Sequence, residues 1–195
     1  MSFLVYCIFP SVISYIYVRL YCILRNFHYG NIDRKNLWSK FLLCVLFDYL
    51  LIKTADLTLG FSYILRLVLL EILSGIDIHV RKIPTELLAA AGLISAIAVF
   101  RSAESSFPVL SAIVIGFVFF CFRKRIGIGL YDILLIVILG VTLQDPVLQL
   151  KFAALILILW GVFGLIIGVL KNRKDLSIPL VPLVTFSYYA VYSFL

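Results

Sequence analysis

Long apolar stretches follow one another through almost the whole chain, and short groups of charged, glycine or proline residues separate them. Of the 195 residues, 64% are hydrophobic, and the mean hydropathy is +1.14. A soluble domain of this size needs far more polar residues to cover its surface. In lipid, every backbone polar group must be hydrogen-bonded internally, so only helices and closed barrels are stable. Because the apolar stretches are continuous rather than alternating, the sequence predicts an all-α, polytopic membrane protein.

A helix needs about 20 residues to cross about 30 Å of hydrocarbon, so the chain has room for a bundle of about eight transmembrane helices. We expect one membrane domain, residues 1–195, without a separate soluble domain. The first stretch has no basic start and no small-residue cleavage site, so we expect it to be a retained span. The predicted spans are about 3–24, 38–53, 60–77, 84–100, 108–122, 130–144, 152–170 and 178–195.

The basic residues predict the orientation of these spans. Most of the 17 Lys and Arg residues fall in alternate connections, at Arg25, Arg34, Lys35, Lys40, Arg81, Lys82, Arg123, Lys124, Arg125, Lys171, Arg173 and Lys174. The opposite connections hold Lys53, Arg101 and Lys151. The positive-inside rule therefore places the first group, including a basic loop at 25–40, in the cytosol and both termini outside. The net charge of +7 then reflects topology, and no nucleic-acid partner is expected.

Two aspartates stand close to these cytosolic loops. Asp77 lies at the end of the third predicted span and Asp132 at the start of the sixth, so both are expected at similar depth on one side of the membrane. Two carboxyl groups in a partly dry cleft do not both ionise easily, so the pair can supply a general base and a general acid. The alternative is two independent interfacial carboxylates, each solvated or paired with a nearby basic residue.

The residues around these aspartates favour the first interpretation. Residues 75–84, GIDIHVRKIP, resemble the first catalytic motif of the type IV prepilin peptidase family, in which an Asp closes an apolar helix and Ile-Pro follows. Pro84 suits the first turn of the next span. Residues 127–135, GIGLYDILL, resemble the family's second motif, Gly-x-Gly-Asp, and residues 178–182, IPLVP, resemble the opening of its last span. The resemblance covers residues 37–195 in register, and the first span also fits.

This resemblance implies a membrane aspartic endopeptidase of the GxGD type, with Asp77 and Asp132 catalytic. Its expected substrate is a prepilin or pseudopilin, cut after its basic leader peptide at the cytosolic face of the bacterial cytoplasmic (inner) membrane. Gly129, Tyr131, Pro84 and Glu71 are the candidates for shaping the site or binding substrate. Glu71 lies about two turns deeper than Asp77. The alternative to a role in the site is an interfacial carboxylate whose hydrogen bonds are satisfied by its surroundings.

The chain also departs from the family pattern. Tyr131 stands where a second glycine is usual, Leu134 where a Lys is common, and Thr85 where Asn or Asp is usual. The loop at 25–40 has no cysteine, whereas many family members carry there a domain with two C-x-x-C pairs. The four cysteines are scattered through apolar stretches. By resemblance this is a short-form enzyme, for which we expect no zinc, no other cofactor and no N-methyltransferase activity.

Other residues have structural interpretations. Asp48 and Arg66 are charged and lie deep in predicted spans, so we expect them to pair across the second and third spans. The tyrosine cluster at 188–192 is expected to anchor its helix at the membrane interface.

Two other functions remain open at this point. One is a proton-coupled transporter that uses its carboxylates as a relay, and the other is a non-catalytic membrane subunit of a pilus or secretion apparatus. The sequence indicates neither the oligomeric state nor the particular pilin.

Overall fold

The computed structural model describes residues 12–20, 61–80, 83–102, 107–171 and 178–193. Within these ranges the chain is all-helical, as predicted, with seven helices and no strand. The helices are α1 (12–20), α2 (Phe61–Val80), α3 (Thr85–Ser102), α4 (Phe107–Ile126), α5 (Leu130–Thr142), α6 (Pro146–Lys171) and α7 (Val181–Ser193). The predicted span at 38–53, with Asp48, and the basic loop at 25–40 lie outside the described residues.

One of the two shortest helices after α1 lies in the middle of the packing. The 13-residue α5 packs against α3, α4, α6 and α7. Its buried side chains include Ile133, Leu135, Ile136 and Leu139. On the other side of the bundle α2 packs against α3 and α7. The main core therefore forms where α5 and α7 meet α2, α3, α4 and α6.

Small residues allow α4 and α5 to approach each other closely. Gly140 on α5 faces Ala112 on α4, and a Cβ added at Gly140 would lie 3.4 Å from the Ala112 Cβ. One turn along α4, a Cβ added at Gly116 would collide with Val137. Small residues spaced four apart are a common means of close helix packing in apolar surroundings, where hydrophobic burial alone does not bring helices together.

Helix α6 begins earlier than the sequence predicted, at Pro146 rather than near residue 152. The Asp145 carboxylate accepts a hydrogen bond from the Val147 N–H at 2.9 Å, and the Asp145 backbone carbonyl accepts one from the Gln149 backbone N–H at 3.1 Å. Asp145 is thus the N-cap and Pro146 the first helical residue, where its missing N–H costs nothing. Lys151, which the sequence placed in a connection, therefore lies exposed on the helix.

The Gln149 side chain links the start of α4 to the connection between α5 and α6. Its side chain is fully buried, and its Nε2 donates to the carbonyls of Pro108 (2.9 Å) and Leu143 (2.8 Å). Its Oε1 accepts from the Ser111 hydroxyl at 2.5 Å. One amide group thereby supplies hydrogen bonds to a carbonyl at the start of α4 and to a carbonyl in the connection between α5 and α6. A buried amide with all of these partners is stable, whereas an unpaired one is costly.

Two of the described helices, α4 and the α6 segment 146–166, are long and apolar enough to cross a membrane. Large apolar side chains point outward along both, for example Phe117 at 65% exposure and Leu165 at 71%. At its end α4 continues into the basic residues 123–125, where positive charge is favourable at a helix C-terminus, and Arg123 lies over the Phe120 ring at 4.5 Å. The prediction for the tyrosines was wrong, because Tyr188 and Tyr189 are buried in the core rather than anchored at the surface.

We expect Gln149→Ala to lower the free energy of unfolding by about 1–3 kcal/mol, because two buried carbonyls lose their donor. The measurement is the thermal midpoint of the purified protein in detergent. Gln144→Ala is the matched control, since Gln144 is exposed in the same connection, and a change within about 0.5 kcal/mol is expected there. Equal midpoints for the two variants would contradict the role given to Gln149.

Candidate functional site

Asp77 lies one turn before the end of α2 and is almost completely buried, with 6% of its surface exposed. Its Oδ2 accepts a hydrogen bond from the backbone N–H of Val181 at 3.1 Å. Val181 is the first residue of α7, so this N–H has no partner within its own helix. The positive end of the α7 dipole also favours a carboxylate at this position. The residue pattern IPLVP thus begins a helix whose first N–H binds the Asp77 carboxyl group.

Asp132 is the third residue of α5 and is half-buried. Its Oδ2 accepts a hydrogen bond from the backbone N–H of Gly129 at 3.0 Å, and Gly129 is the N-cap of the helix. An acidic side chain that reaches back to the N-cap N–H is one half of a capping box. The carboxyl group of Asp132 is therefore held by its own turn, in contrast to that of Asp77.

A glycine in the left-handed conformation produces the sharp turn before α5. Gly127 has φ of +72°, and its N–H and that of Ile128 both donate to the Arg123 carbonyl, at 2.8 and 3.1 Å. This arrangement ends α4 in the manner of a glycine C-cap. The chain then reverses within three residues, so the start of α5 lies beside the end of α4.

Gly129 provides the space for the Asp132 carboxyl group. A Cβ added at Gly129 would lie 2.9 Å from Asp132 Oδ2, which is closer than real Cβ contacts allow. A residue with a Cβ at this position would require a small shift of the Asp132 carboxyl group, which is the free end of its side chain. The two glycines before α5 thus act differently, Gly127 through its positive φ and Gly129 through the space that its missing side chain leaves.

The two carboxyl groups are brought near each other. The Asp77 and Asp132 carboxyl groups lie within range of a direct charge–charge interaction. They come from the C-terminal end of α2 and the N-terminal end of α5, and the start of α7 adjoins Asp77. Three helix ends therefore meet at one end of the bundle, and two of them contribute an acid.

The other predicted site residues take different positions. Pro84 is buried just before α3, and its carbonyl accepts the N–H of Leu88 at 3.1 Å. Tyr131 is 46% exposed beside Asp132. Glu71 is half-buried, and its Oε2 accepts a hydrogen bond from the Ser14 hydroxyl of α1 at 2.7 Å. Glu71 and Asp77 thus contact different neighbouring helices.

Sequence reasoning missed one contribution to this site and one group of contacts at the opposite end of the same helices. The Val181 N–H is a backbone group, so no residue type indicates it, although the two prolines around it mark a helix start. Arg66 donates to the Tyr188 hydroxyl at 2.9 Å, and the Thr142 hydroxyl bonds the same atom at 2.8 Å. The sequence had proposed Asp48 as the partner of Arg66, and Asp48 lies outside the described residues.

No group of three or more His, Cys, Asp or Glu side chains with metal-binding geometry occurs in the part of the chain that the structure describes. Comparison with protein-family models, with curated proteins and with solved structures finds no match to this chain.

We expect Gly127→Ala to lower the free energy of unfolding by about 1–2 kcal/mol, since an L-residue is strained at this φ. Nothing lies within 4 Å of the added Cβ, so the cost comes from the backbone alone. Gly161→Ala in α6 has equally open surroundings but ordinary helical geometry, and a gain of about 0.5–1 kcal/mol is expected. Thermal unfolding in detergent measures both, and a loss for Gly161→Ala or a gain for Gly127→Ala would refute this account.

Proposed function

We propose that this chain is a polytopic aspartic endopeptidase of the bacterial cytoplasmic membrane that removes the basic leader peptide of type IV prepilins or pseudopilins. The observation that supports the proposal is the proximity of Asp77 and Asp132, which lie 55 positions apart in the chain and come from two different helices. The resemblance of residues 75–84, 127–135 and 178–182 to the motifs of the prepilin peptidase family supplies the reaction class.

The chemistry requires one ionised and one protonated carboxyl group. Two carboxyl groups within electrostatic reach favour that state, because ionising both is costly. The ionised group takes a proton from a water molecule whose oxygen attacks the scissile carbonyl carbon. The protonated group then gives its proton to the leaving amine nitrogen as the C–N bond breaks. The pair ends with the proton on the opposite partner, and exchange with water restores it.

The position of the pair suits a substrate at the membrane surface. In the proposed topology the helix ends that carry Asp77 and Asp132 adjoin the basic residues 81–82 and 123–125, which the positive-inside rule places in the cytosol. A prepilin has its basic leader on that side and an apolar helix after the cleavage site. Asp132 is half-buried and Tyr131 exposed, so α5 offers the accessible side of the pair.

The exposed apolar surfaces of α4 and α6 support the membrane location. Large apolar side chains that point outward over the length of both helices are stable against lipid acyl chains. We further propose that peptide hydrolysis by this chain needs no zinc and that it carries no N-methyltransferase activity, since the loop at 25–40 lacks cysteine.

A single assay separates the proposed function from the alternatives. Purified protein in detergent is mixed with a candidate prepilin, and the leader-shortened product is followed by gel mobility and mass spectrometry. An endopeptidase produces it, whereas a transporter or a non-catalytic assembly subunit does not. A chain that inserts and folds but leaves every tested prepilin intact would contradict the proposal.

Asp77→Asn and Asp132→Asn are each expected to lower leader cleavage by about 10²–10⁴-fold, because the amide neither takes nor gives the proton. The amount of inserted protein should be unchanged. Asp145→Asn is the control for the same chemical change beyond the opposite end of α5, where Asn caps a helix as well as Asp does. Full cleavage by either of the first two variants would rule out the proposed mechanism.

Gly129→Ala is expected to lower cleavage by roughly 10–100-fold, since a displaced catalytic group loses rate steeply with small errors in position. The added methyl group would lie 2.9 Å from Asp132 Oδ2, so the carboxyl group has to shift. Gly92→Ala on α3 is the matched control, because its Cβ meets Ile138 at an ordinary 3.6 Å. Equal losses of activity for the two variants would indicate a general packing effect instead.

A further inference from the structure

Three polar contacts join α2 to α7, and only the contact at Asp77 involves a residue of the proposed catalytic pair. Arg66 donates to the Tyr188 hydroxyl at 2.9 Å, and the hydroxyls of Ser74 and Thr185 share a hydrogen bond of 3.0 Å. The third contact is the Val181 N–H on Asp77, at 3.1 Å. We call these three contacts the α2–α7 ladder. Their order is reversed between the two helices, so α2 and α7 run antiparallel.

The ladder lies on one stripe of each helix. On α7 its members are spaced by four and then three residues, which is the spacing of neighbours on one helical face. Thr185 is buried, and Tyr188 has no exposed surface at all. In apolar surroundings a polar side chain has no water as an alternative partner, so such contacts oppose sliding of one helix along the other.

A slide of α7 by one turn, about 5.4 Å, would break all three contacts together. Apolar side chains alone define register loosely, because one leucine-sized contact can replace another. The two side-chain contacts therefore determine where the N-terminus of α7 lies along α2. That N-terminus carries the hydrogen-bond donor of Asp77.

We propose that the α2–α7 ladder positions Asp77 for the proposed peptidase reaction, with the Val181 N–H as the group that holds its carboxyl group and with Ser74, Thr185 and Tyr188 as positioning residues. This inference rests on the proposed function for its consequence in catalysis. Its structural part, the register of α7 against α2, stands independently of any activity.

Val181→Pro tests the backbone N–H that donates to the Asp77 carboxyl group. Proline is tolerated at the first helical position, and the substitution removes the N–H while it exchanges the buried Val181 side chain for a pyrrolidine ring. The variant should lower kcat at least about tenfold with KM changed less than about twofold, since a misplaced carboxyl group affects the chemical step. Val181→Ala is the matched control, because it keeps the N–H although it removes more of the buried side chain, and it should stay within about threefold of the wild type.

The Ser74–Thr185 contact is tested by removing both hydroxyls, with Ser74→Ala and Thr185→Val together, so that neither partner is left unsatisfied. We expect kcat to fall by about two- to tenfold and Thr185→Ser, which keeps the hydroxyl, to retain wild-type kcat. Ser187→Ala on the same helix is the control. Among the described residues the buried Ser187 hydroxyl has no hydrogen-bond partner, so no loss is expected.

Cross-linking measures the register without any activity. The protein carries Ser74→Cys with Thr185→Cys, in a background whose four native cysteines are replaced by serine, and is oxidised in membranes. A disulfide should form in this pair and not in Ser74→Cys with Ser187→Cys. The reverse result, or equal cross-linking in both pairs, overturns the ladder whether or not the chain cleaves a prepilin.

The two kinds of failure are thereby distinguishable. If the wild type cleaves a prepilin, wild-type kcat in Val181→Pro overturns the positioning role. If the wild type cleaves none while the Ser74–Thr185 pair cross-links selectively, the proposed function fails, the positioning role falls with it, and the register remains established.

Discussion

A buried carboxyl group in apolar surroundings must have a hydrogen-bond donor, and the donor for Asp77 comes from the far end of the chain. At 6% exposure Asp77 has little contact with solvent, so an unpartnered carboxylate there would be strongly unfavourable. The first N–H of α7 satisfies it without loss to α7, because that N–H has no intrahelical partner. This contact constrains the helix arrangement, since α7 must begin where α2 is about to end.

A second set of polar side chains is hydrogen-bonded at the opposite end of these helices. Arg66, Tyr188 and Thr142 form a continuous hydrogen-bonded chain across α2, α7 and α5. The same three helices form the end of the bundle where Asp77 and Asp132 lie. Hydrogen bonds join all three helices at one end and join α2 to α7 at the end with the aspartates, which limits changes in their separation. The interior contacts thus keep the two carboxyl groups near each other, even though α2 and α5 share few direct contacts.

The sequence predicted the all-helical character of the described residues and indicated the two aspartates as candidates because both depend on local information. Apolar length defines a span, and an acid at the end of one is conspicuous in the sequence. The start of α6 lies before the predicted one because Lys151 interrupts the apolar stretch, although Asp145-Pro146 is a recognisable N-terminus. The burial of Tyr188 was missed for another reason. Its partners are 122 and 46 residues away, and no local pattern contains them.

The two carboxyl groups differ in how they are held, and the difference affects the proposed reaction. Asp77 is fixed by a residue more than a hundred positions away, in a ladder that includes two further contacts. Asp132 is fixed by Gly129, three residues before it, and stays half-exposed in the first turn of its helix. In the proposed reaction a substrate would meet one acid held by a distant helix and one whose support lies within a single turn. Because that turn carries the Gly129 N–H, changes in it act first on the Asp132 carboxyl group and thereby on the geometry of the pair.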